Sequence, residues 1–515
     1  MPTSALLRAP WLPFVLLLAA QLPWLARPVD FDEANFTVLA RGAAADPLRP
    51  HAIPINWTGN TRPAFEVLSN PPGVAWWLAP VAGAPVALQR AWMLPWFALC
   101  VLGARRLGRR FGDGDRTALL LLAPPIALLS IPALMPDAPL YACTLAGVAG
   151  AVDAVDRRER GVAWGLVAGC AALFRYSGVT LVPLLALYAL QRRRAPWAAL
   201  AAAVPVALLT AHDVAVYGQS HLAAMTEFQS VSNTAAAWHH KAVSALAMLG
   251  GAAVLPIFAW GAPAVAGAIA GALATLSFGA VAALFAAAGN AVLATALAAP
   301  LRAGDGRRDR LWLAAWAGGG FVFLLSLRFA ATRYWMPFLP GILLALPFGR
   351  LRTAWLAASI ALGAALAADG FAQARAVERL AARVATLAPH GYFTGHWGWQ
   401  AAMEARGWEP IELYARAPAG ALVALVRQAW PQAADIGCSD VVWQSEADAI
   451  PWLPRSYTEA GRANLHGHAL APSTRSVVAP WSFASDPYEA VVVCREQRPD
   501  ASGRAAAPPA ANTTQ

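Results

Sequence analysis

The stretch RPVDFDEANFTVLA, residues 27–40, places Asp30, Asp32 and Glu33 directly after an apolar run. That run, Trp11 to Ala26, is apolar enough to enter a bilayer. No small-residue cleavage site follows it, so we expect a retained first span rather than a secretory signal. Acidic side chains at membrane depth are costly and usually functional. The mouth of this span is therefore the first candidate for a functional site.

The rest of the chain has the composition of a polytopic helical membrane protein. Of its 515 residues, 58% are hydrophobic and 13% are charged, whereas charged residues make up about a quarter of a soluble protein. Apolar runs of roughly 20 residues recur along the chain. They predict thirteen spans, at 9–26, 81–103, 117–132, 139–155, 161–174, 177–191, 196–212, 243–260, 262–279, 281–301, 311–327, 334–349 and 354–369.

The arginines predict the orientation of these spans. They cluster in the short connections after the second, fourth, sixth, tenth and twelfth spans, and the positive-inside rule makes those connections cytoplasmic. Abundant Ala and Arg with a single Lys, Lys241, indicates a GC-rich bacterium. We therefore predict a multi-pass protein of a bacterial cytoplasmic (inner) membrane, with a cytoplasmic N-terminus and an extracytoplasmic C-terminal part. The chain has a net charge of +10, but its arginines cluster in these connections. The sequence therefore offers no basic domain that would bind nucleic acid.

The composition changes near residue 370. We predict a transmembrane domain over 1–369 with a functional outer loop at 27–80, an extracytoplasmic α/β domain over 370–497, and a disordered tail over 498–515. The segment 371–387 has the periodicity of an amphipathic helix, and short strand-like runs follow it. Cys438 and Cys494 lie beside two of these runs. Outside the cytoplasm they are expected to form a disulfide, with two buried free thiols as the alternative.

Further charged residues fall near the outer ends of the predicted spans. Asp137 lies in PALMPDAPLYA, and Arg62, Arg175 and Arg333 are placed on the same side by the predicted topology. Carboxylates beside arginines suit an anionic, phosphate-bearing ligand. The alternatives are a helix-capping role for the acids and snorkelling to the interface for the arginines.

Five segments in order resemble motifs of the GT-C glycosyltransferases: FDEANF, SNPPGVAWW, MPDAPLYA, FRYSGVTLVPLL and TRYWMPFLPGILLAL. The resemblance covers about residues 10 to 350. The most similar group is glycosyltransferase family 39, which includes the protein O-mannosyltransferases and the lipid A aminoarabinose transferases. It implies an all-α polytopic GT-C fold, to which the small C-terminal α/β domain is added.

The resemblance also implies a polyprenyl-phosphate-linked sugar as donor, transfer on the outer face of the membrane, and inversion at the anomeric carbon. Asp32 matches the catalytic acidic position, and Glu33 and Asp137 are further catalytic candidates. Asn70 stands before Pro71 where the family often has Lys or His nearby, so several basic residues remain candidates for the donor phosphate. They are Arg62, Arg175, Arg333 and His51.

The chemistry expected of this site is the activation of a hydroxyl group. A positioned carboxylate accepts the hydroxyl proton, and arginine or a bound divalent ion stabilises the leaving phosphate. No cofactor is certain, and a divalent metal ion remains open. The acceptor is an envelope glycan, a lipid or a protein. The alternatives are a transporter or flippase, disfavoured because the acids lie at span ends rather than mid-span, and a non-catalytic membrane subunit with an outer sensory domain.

Overall fold

The computed structural model describes residues 11–57, 59–230, 235–258, 261–275, 279–302, 304, 306–430, 432–469 and 478–497. The predicted disordered tail, 498–515, lies outside these ranges. Helices dominate up to residue 404. The α-helices are Leu12–Ala19, Glu33–Ala45, Ala64–Val67, Gly73–Leu78, Val86–Phe111, Asp115–Leu122, Pro125–Ser130, Asp137–Asp156, Val162–Phe174, Leu181–Gln191, Trp197–Tyr217, His221–Ser230, Ala235–Met248, Ala262–Thr275, Ala280–Leu297, Arg307–Leu325, Leu339–Ala345, Arg352–Ala385 and Trp397–Glu404.

Five helical segments are long and apolar enough to cross a membrane. They are Val86–Phe111, Asp137–Asp156, Trp197–Tyr217, Ala280–Leu297 and Gly349–Ala385, and each contains most of a predicted span. Four shorter apolar helical segments accompany them, at Leu12–Ala26, Val162–Phe174, Tyr176–Gln191 and Ala262–Thr275. The described part of the chain therefore has the helices of a membrane protein, while the count of thirteen spans stays a prediction.

Two predicted spans are interrupted where proline breaks the helix. The predicted span 117–132 is divided at Pro124 into two short helices, and the predicted span 334–349 begins as the 3₁₀ helix Thr332–Phe338, which contains Pro337. Proline lacks the amide hydrogen that an α-helix interior requires. The second interruption places Arg333 in the 3₁₀ helix that leads into the α-helix Leu339–Ala345.

The predicted domain boundary near residue 370 falls inside a helix. The helix Arg352–Ala385 continues through it for 34 residues, because Gly370, tolerated inside a helix, is the sole candidate breaker there. The predicted last span and the predicted amphipathic helix are thus one element. This helix joins the helical bundle to the C-terminal sheet.

The helix Asp137–Asp156 lies at the centre of the bundle and is buried over most of its length. It packs between the helices Val86–Phe111 and Val162–Phe174. Small residues permit the close approach that membrane helices favour. A Cβ on Gly147 would lie 2.4 Å from the backbone nitrogen of Ala168. Asp137, the first residue of this helix, is therefore rigidly placed.

Strands make up most of the regular structure after residue 404. Four of these strands join Tyr392–Phe393, which precedes residue 404, in a five-stranded sheet. Its strand order is Glu409–Pro410, Tyr392–Phe393, Leu422–Val426, Glu489–Glu496 and Cys438–Ala447. The remaining strands form three two-stranded antiparallel sheets. These pair Pro54–Asn56 with Thr61–Pro63, Phe329–Ala330 with His468–Ala469, and Tyr457–Thr458 with Ala463–Asn464.

The five-stranded sheet is mixed and packs against helices on one face. Its first two pairings are parallel and the other two are antiparallel. Val377 and Leu380 of the long helix share an apolar core with Trp399, Ala424 and Val493. Each of the three strand-like runs of the sequence contributes a strand to this sheet, while the division of the chain into domains at residue 370 stays a prediction.

Cys438 and Cys494 lie on neighbouring antiparallel strands and form a disulfide, with their Cα atoms 5.6 Å apart. The three other cysteines, Cys100, Cys143 and Cys170, are free. The cross-link closes a loop with a sequence separation of 56 residues. In the chain-entropy model, such a loop stabilises the folded state by about 4 kcal/mol.

We predict that neither tail cysteine reacts with maleimide when the purified protein is unfolded without reductant. Reduction should expose both thiols, and Cys438→Ser should lower the thermal unfolding midpoint. The measurement is mass spectrometry of labelled tryptic peptides, with Cys100 as the internal positive control because its thiol is free. Labelling of both tail cysteines before reduction would contradict the disulfide.

Candidate active site

Asp32 meets an arginine from a distant part of the chain. It precedes the helix Glu33–Ala45, and its carboxylate forms an ion pair with the guanidinium of Arg333. Arg333 is buried, whereas the side chain of Asp32 is 25% exposed. A helix start and the 3₁₀ helix Thr332–Phe338 thus bring together two residues that are 301 positions apart. Asp32 is accessible and faces a fixed positive charge.

Asp137 forms a second carboxylate–arginine pair. Nη2 of Arg175 donates to Oδ2 of Asp137 at 3.2 Å, and Nε lies 2.9 Å from Oδ1. The guanidinium of Arg175 is 5.0 Å from the ring centroid of Tyr334, and that of Arg333 is 5.7 Å from the same ring. Cations favour aromatic faces at such distances. Tyr334 therefore places the two arginines side by side.

Glu33 makes a third, fully buried pair. Nη1 and Nη2 of Arg90 donate to its two carboxylate oxygens, both at 2.7 Å, and Arg27 donates to Oε1 at 2.6 Å. Burial alone would raise the pKa of Glu33, but Arg27 and Arg90 outweigh it and lower the pKa to about 2. With both oxygens engaged inside the protein, Glu33 is a structural anchor rather than a group available to a substrate.

Arg90 extends this anchor to the surrounding backbone. It donates to the carbonyl oxygens of Arg27, Pro28 and Pro132 at 3.0, 2.9 and 3.0 Å. Glu33 in turn accepts the backbone N–H of Leu134 at 3.1 Å. The segment before Asp32 and the segment before Asp137 are therefore held together by one ion pair, because fully paired buried charges impose a defined geometry.

Asp30 differs from the other three acids. Its Oδ1 accepts the backbone N–H of Phe31 at 2.9 Å, while its Oδ2 has no hydrogen-bond partner among the described residues. Its residue surface is only 5% exposed. Asp30 lines a cavity of about 40 Å³ that Asp137 and Arg333 also line. Burial, the leading cause, raises the pKa of Asp30 to about 7 despite the opposing charge of Arg27.

The C-terminal part of the chain completes the wall of this cavity. Ser456, Leu465 and His466 belong to its lining. The ring of His466 stacks on that of Phe31, with centroids 3.9 Å apart. Burial lowers the pKa of His466 to about 3, and the nearby positive charges of Arg333 and Arg27 act in the same direction. His466 is therefore neutral at physiological pH.

A larger cavity of about 260 Å³ lies between the helix Glu33–Ala45 and the helix Trp397–Glu404. It begins on the first turn after Asp32, and it carries both polar and apolar side chains. The residues that line it are Ala34, Asn35, Thr37, Val38, Arg41, Ile55, Gln400, Ala401, Glu404 and Ala405. Its size and its polar groups suit a small hydrophilic ligand such as one sugar unit.

The structure does not bring Arg62 or His51 to these carboxylates. Arg62 lies on the short hairpin Pro54–Asn56 with Thr61–Pro63 and is exposed. The ring of His51 is buried, and its Nε2 lies 3.1 Å from the carbonyl oxygen of Asn70. Burial, followed by the charge of His221, lowers the pKa of His51 to about 3. A buried neutral imidazole is a poor ligand for a phosphate anion. Of the four candidates for the donor phosphate, Arg175 and Arg333 are the two that lie against the carboxylates.

The carboxylates do not form a metal-binding group. Within the described ranges, no cluster of three or more His, Cys, Asp or Glu side chains has the geometry to hold a metal ion. Asp32, Glu33 and Asp137 each pair with arginine, which supplies the positive charge that a divalent ion would otherwise provide. The donor set of this site therefore fits charge stabilisation by arginine.

Three important residues were missed in the sequence. Arg90 lies inside a span helix, where an ionisable residue is itself a signal of function. Asp30 stands beside the recognised acidic pair but was not distinguished from it, because its environment depends on tertiary contacts. His466 comes from the C-terminal part, and no local pattern connects it with residue 31.

Comparisons with known proteins give structural likeness without a sequence match. No family model matches this sequence, and no curated protein matches it. Two solved structures are similar, and both are of ArnT from Cupriavidus metallidurans. The apo structure has 15% sequence identity to this chain and a TM-score of 0.38, and the match covers 80% of this chain and 92% of the ArnT chain. The structure bound to undecaprenyl phosphate is 15% identical with a TM-score of 0.37, covering 82% and 96%. The site is therefore described from the contacts within this chain alone.

We predict that Glu33→Gln destabilises the fold, while Asp32→Asn does not. Removing the charge of Glu33 leaves Arg90 buried without its partner, which typically costs about 3–5 kcal/mol. Asp32 is partly exposed, so its loss is buffered by solvent. The measurement is the thermal unfolding midpoint in detergent, followed by tryptophan fluorescence. Equal midpoints for wild type and Glu33→Gln would show that the buried pair is not an anchor.

Proposed function

We propose that this protein is a membrane glycosyltransferase that moves a sugar from a polyprenyl-phosphate carrier to an extracytoplasmic acceptor. The observation that carries this proposal is that the pairs Asp32–Arg333 and Asp137–Arg175 both lie beside Tyr334. The proposal combines this geometry with the motif order of the GT-C resemblance. The proposed acceptor is an envelope glycan, a lipid or a protein, and the proposed membrane is the bacterial cytoplasmic membrane.

The site divides the chemistry between two kinds of side chain. Arg333 and Arg175 supply adjacent positive charges for the phosphate of the donor, and guanidinium groups suit phosphate oxygens because they donate two parallel hydrogen bonds. Asp32, the accessible carboxylate, faces the attacking hydroxyl. A single displacement of the lipid phosphate inverts the anomeric carbon. We assign the acceptor to the 260 Å³ polar cavity, whose lining begins at Ala34 on the helix that follows Asp32.

The product of the reaction is identified by mass spectrometry of envelope glycans, lipids and glycoproteins from a deletion strain. Loss of a single sugar from one of these classes identifies donor and acceptor together. Complementation with the wild-type gene should restore it. An envelope that is chemically unchanged by the deletion would contradict the proposed function.

We predict that Asp32→Asn abolishes sugar transfer while leaving expression and folding normal. A carboxamide lacks the negative charge with which Asp32 holds and polarises the attacking hydroxyl, and loss of a positioned carboxylate at the reacting group costs about 100-fold or more in rate. The matched control is Asp46→Asn, which removes an exposed carboxylate that follows the same helix and should complement fully. Complementation by Asp32→Asn would favour a transporter or a non-catalytic subunit.

We predict that Arg175→Ala and Arg333→Ala each weaken donor use. Loss of a hydrogen bond to a charged group costs about 1.5–3 kcal/mol, which corresponds to roughly a 10- to 100-fold higher donor concentration at half-maximal rate. Arg62→Ala is the matched control, since Arg62 is exposed on a hairpin. The measurement is a donor titration in membranes. An unchanged half-saturation in both site variants would assign the phosphate to other residues.

A further inference from the structure

Among the four acids of the site, Asp30 alone lacks a hydrogen bond from an arginine side chain in the described residues. Asp32, Glu33 and Asp137 are held by Arg333, Arg90 and Arg175. The nearest cation to Asp30 in sequence, Arg27, instead donates to Glu33. The Oδ2 atom of Asp30 is buried with no described partner. A buried polar atom without a partner costs about 1–3 kcal/mol, so its retention calls for an explanation.

The surroundings of Asp30 connect it to the reacting end of the site. Its cavity is shared with Asp137 and Arg333, and Arg333 in turn holds Asp32. A volume of about 40 Å³ is too small for a sugar and is on the scale of a few water molecules. The helix Trp397–Glu404 closes the opposite side, since a Cβ on Gly398 would lie 3.2 Å from Cα of Asp30. The charged and titratable groups that face Asp30 from every side are Arg27, Glu33, Arg90, Asp137, Arg333 and His466.

We propose that Asp30 takes up the proton that the acceptor hydroxyl releases, through water in the cavity that Asp30, Asp137 and Arg333 line. This inference rests on the proposed function and adds a positioning residue that the GT-C resemblance does not include. Asp32 then orients the hydroxyl and keeps its ion pair with Arg333. Asp30 stores the proton beside the arginines that hold the leaving phosphate.

The step balances in atoms and charge. The O–H bond of the acceptor breaks and its oxygen forms a bond with the anomeric carbon. The bond between that carbon and the phosphate oxygen breaks, and its electron pair leaves with the polyprenyl phosphate. The proton ends on Oδ2 of Asp30 and returns to solvent before the next turnover. No oxidant, reductant or metal is required.

The protonation equilibrium agrees with this role. Burial raises the pKa of Asp30 to about 7, so at neutral pH the group both accepts and releases a proton readily. Only the ionised form accepts a proton. The transfer rate should therefore rise as the pH increases through about 7 and reach a plateau above it.

Infrared difference spectroscopy of the intact protein in lipid tests the proton site without any substrate. The carbonyl stretch of a protonated carboxylic acid should disappear as the pH is raised through about 7. The same titrating band should be missing in Asp30→Asn and present in Asp46→Asn. If wild-type protein has no band that titrates there, the proposal is overturned, whether or not Asp30→Asn folds.

The pH profile of sugar transfer tests the role in the reaction. In membranes of the complemented deletion strain, Asp30→Asn should lose about 100-fold or more in rate and should lose the rise through neutral pH. Asp30→Glu should recover part of both, and Asp46→Asn should match wild type. A profile in Asp30→Asn that keeps the wild-type rise would remove Asp30 from the proton path. A deletion strain with an unchanged envelope would instead refute the proposed function and leave the infrared result standing.

Discussion

The buried pair between Glu33 and Arg90 is the interaction on which the site depends. Arg90 lies in a span helix, and its guanidinium is fully occupied by Glu33 and by three backbone carbonyl groups. Because Leu134 donates to the same carboxylate, the pair joins the loop before Asp32 to the loop before Asp137. Removing either partner would leave an uncompensated buried charge. The two carboxylates that face the ligand are thus positioned by a third that does not.

The C-terminal part holds the same loop from the other side. Phe31 adopts a left-handed backbone conformation, with φ of 41°, which costs a non-glycine residue about 1–3 kcal/mol. Its ring packs against His466 at 3.9 Å and Trp397 at 5.0 Å. These contacts compensate for the strain at the residue between Asp30 and Asp32. The C-terminal part of the chain therefore supports the site through Trp397 and His466.

The sequence predicted the elements of this arrangement better than their connections. Apolar runs located the long helices, and the recurrence of acids at span ends located Asp32 and Asp137, because both signals are local. The pairing of Arg333 with Asp32 depends on a proline-interrupted helix 301 residues away. Proximity in sequence predicts Arg62 and His51 as ligands of the donor phosphate. The hairpin, however, leaves Arg62 exposed, and aromatic packing buries His51. The environment of Asp30 follows from cavity walls that four distant segments of the chain form.

In the reaction that we propose, charge balance links these features into one cycle. When Asp30 is protonated, three carboxylates remain against four arginines, namely Arg27, Arg90, Arg175 and Arg333. His466 is neutral and adds nothing to this sum. The site then carries an excess positive charge, which favours a phosphate anion in a region of low dielectric. Ionisation of Asp30 removes that excess and prepares a proton acceptor for the attacking hydroxyl. Uptake of the proton restores the positive charge at the moment when the phosphate becomes the leaving group. Electrostatic stabilisation thus increases along the reaction, which is the condition for catalysis rather than simple binding.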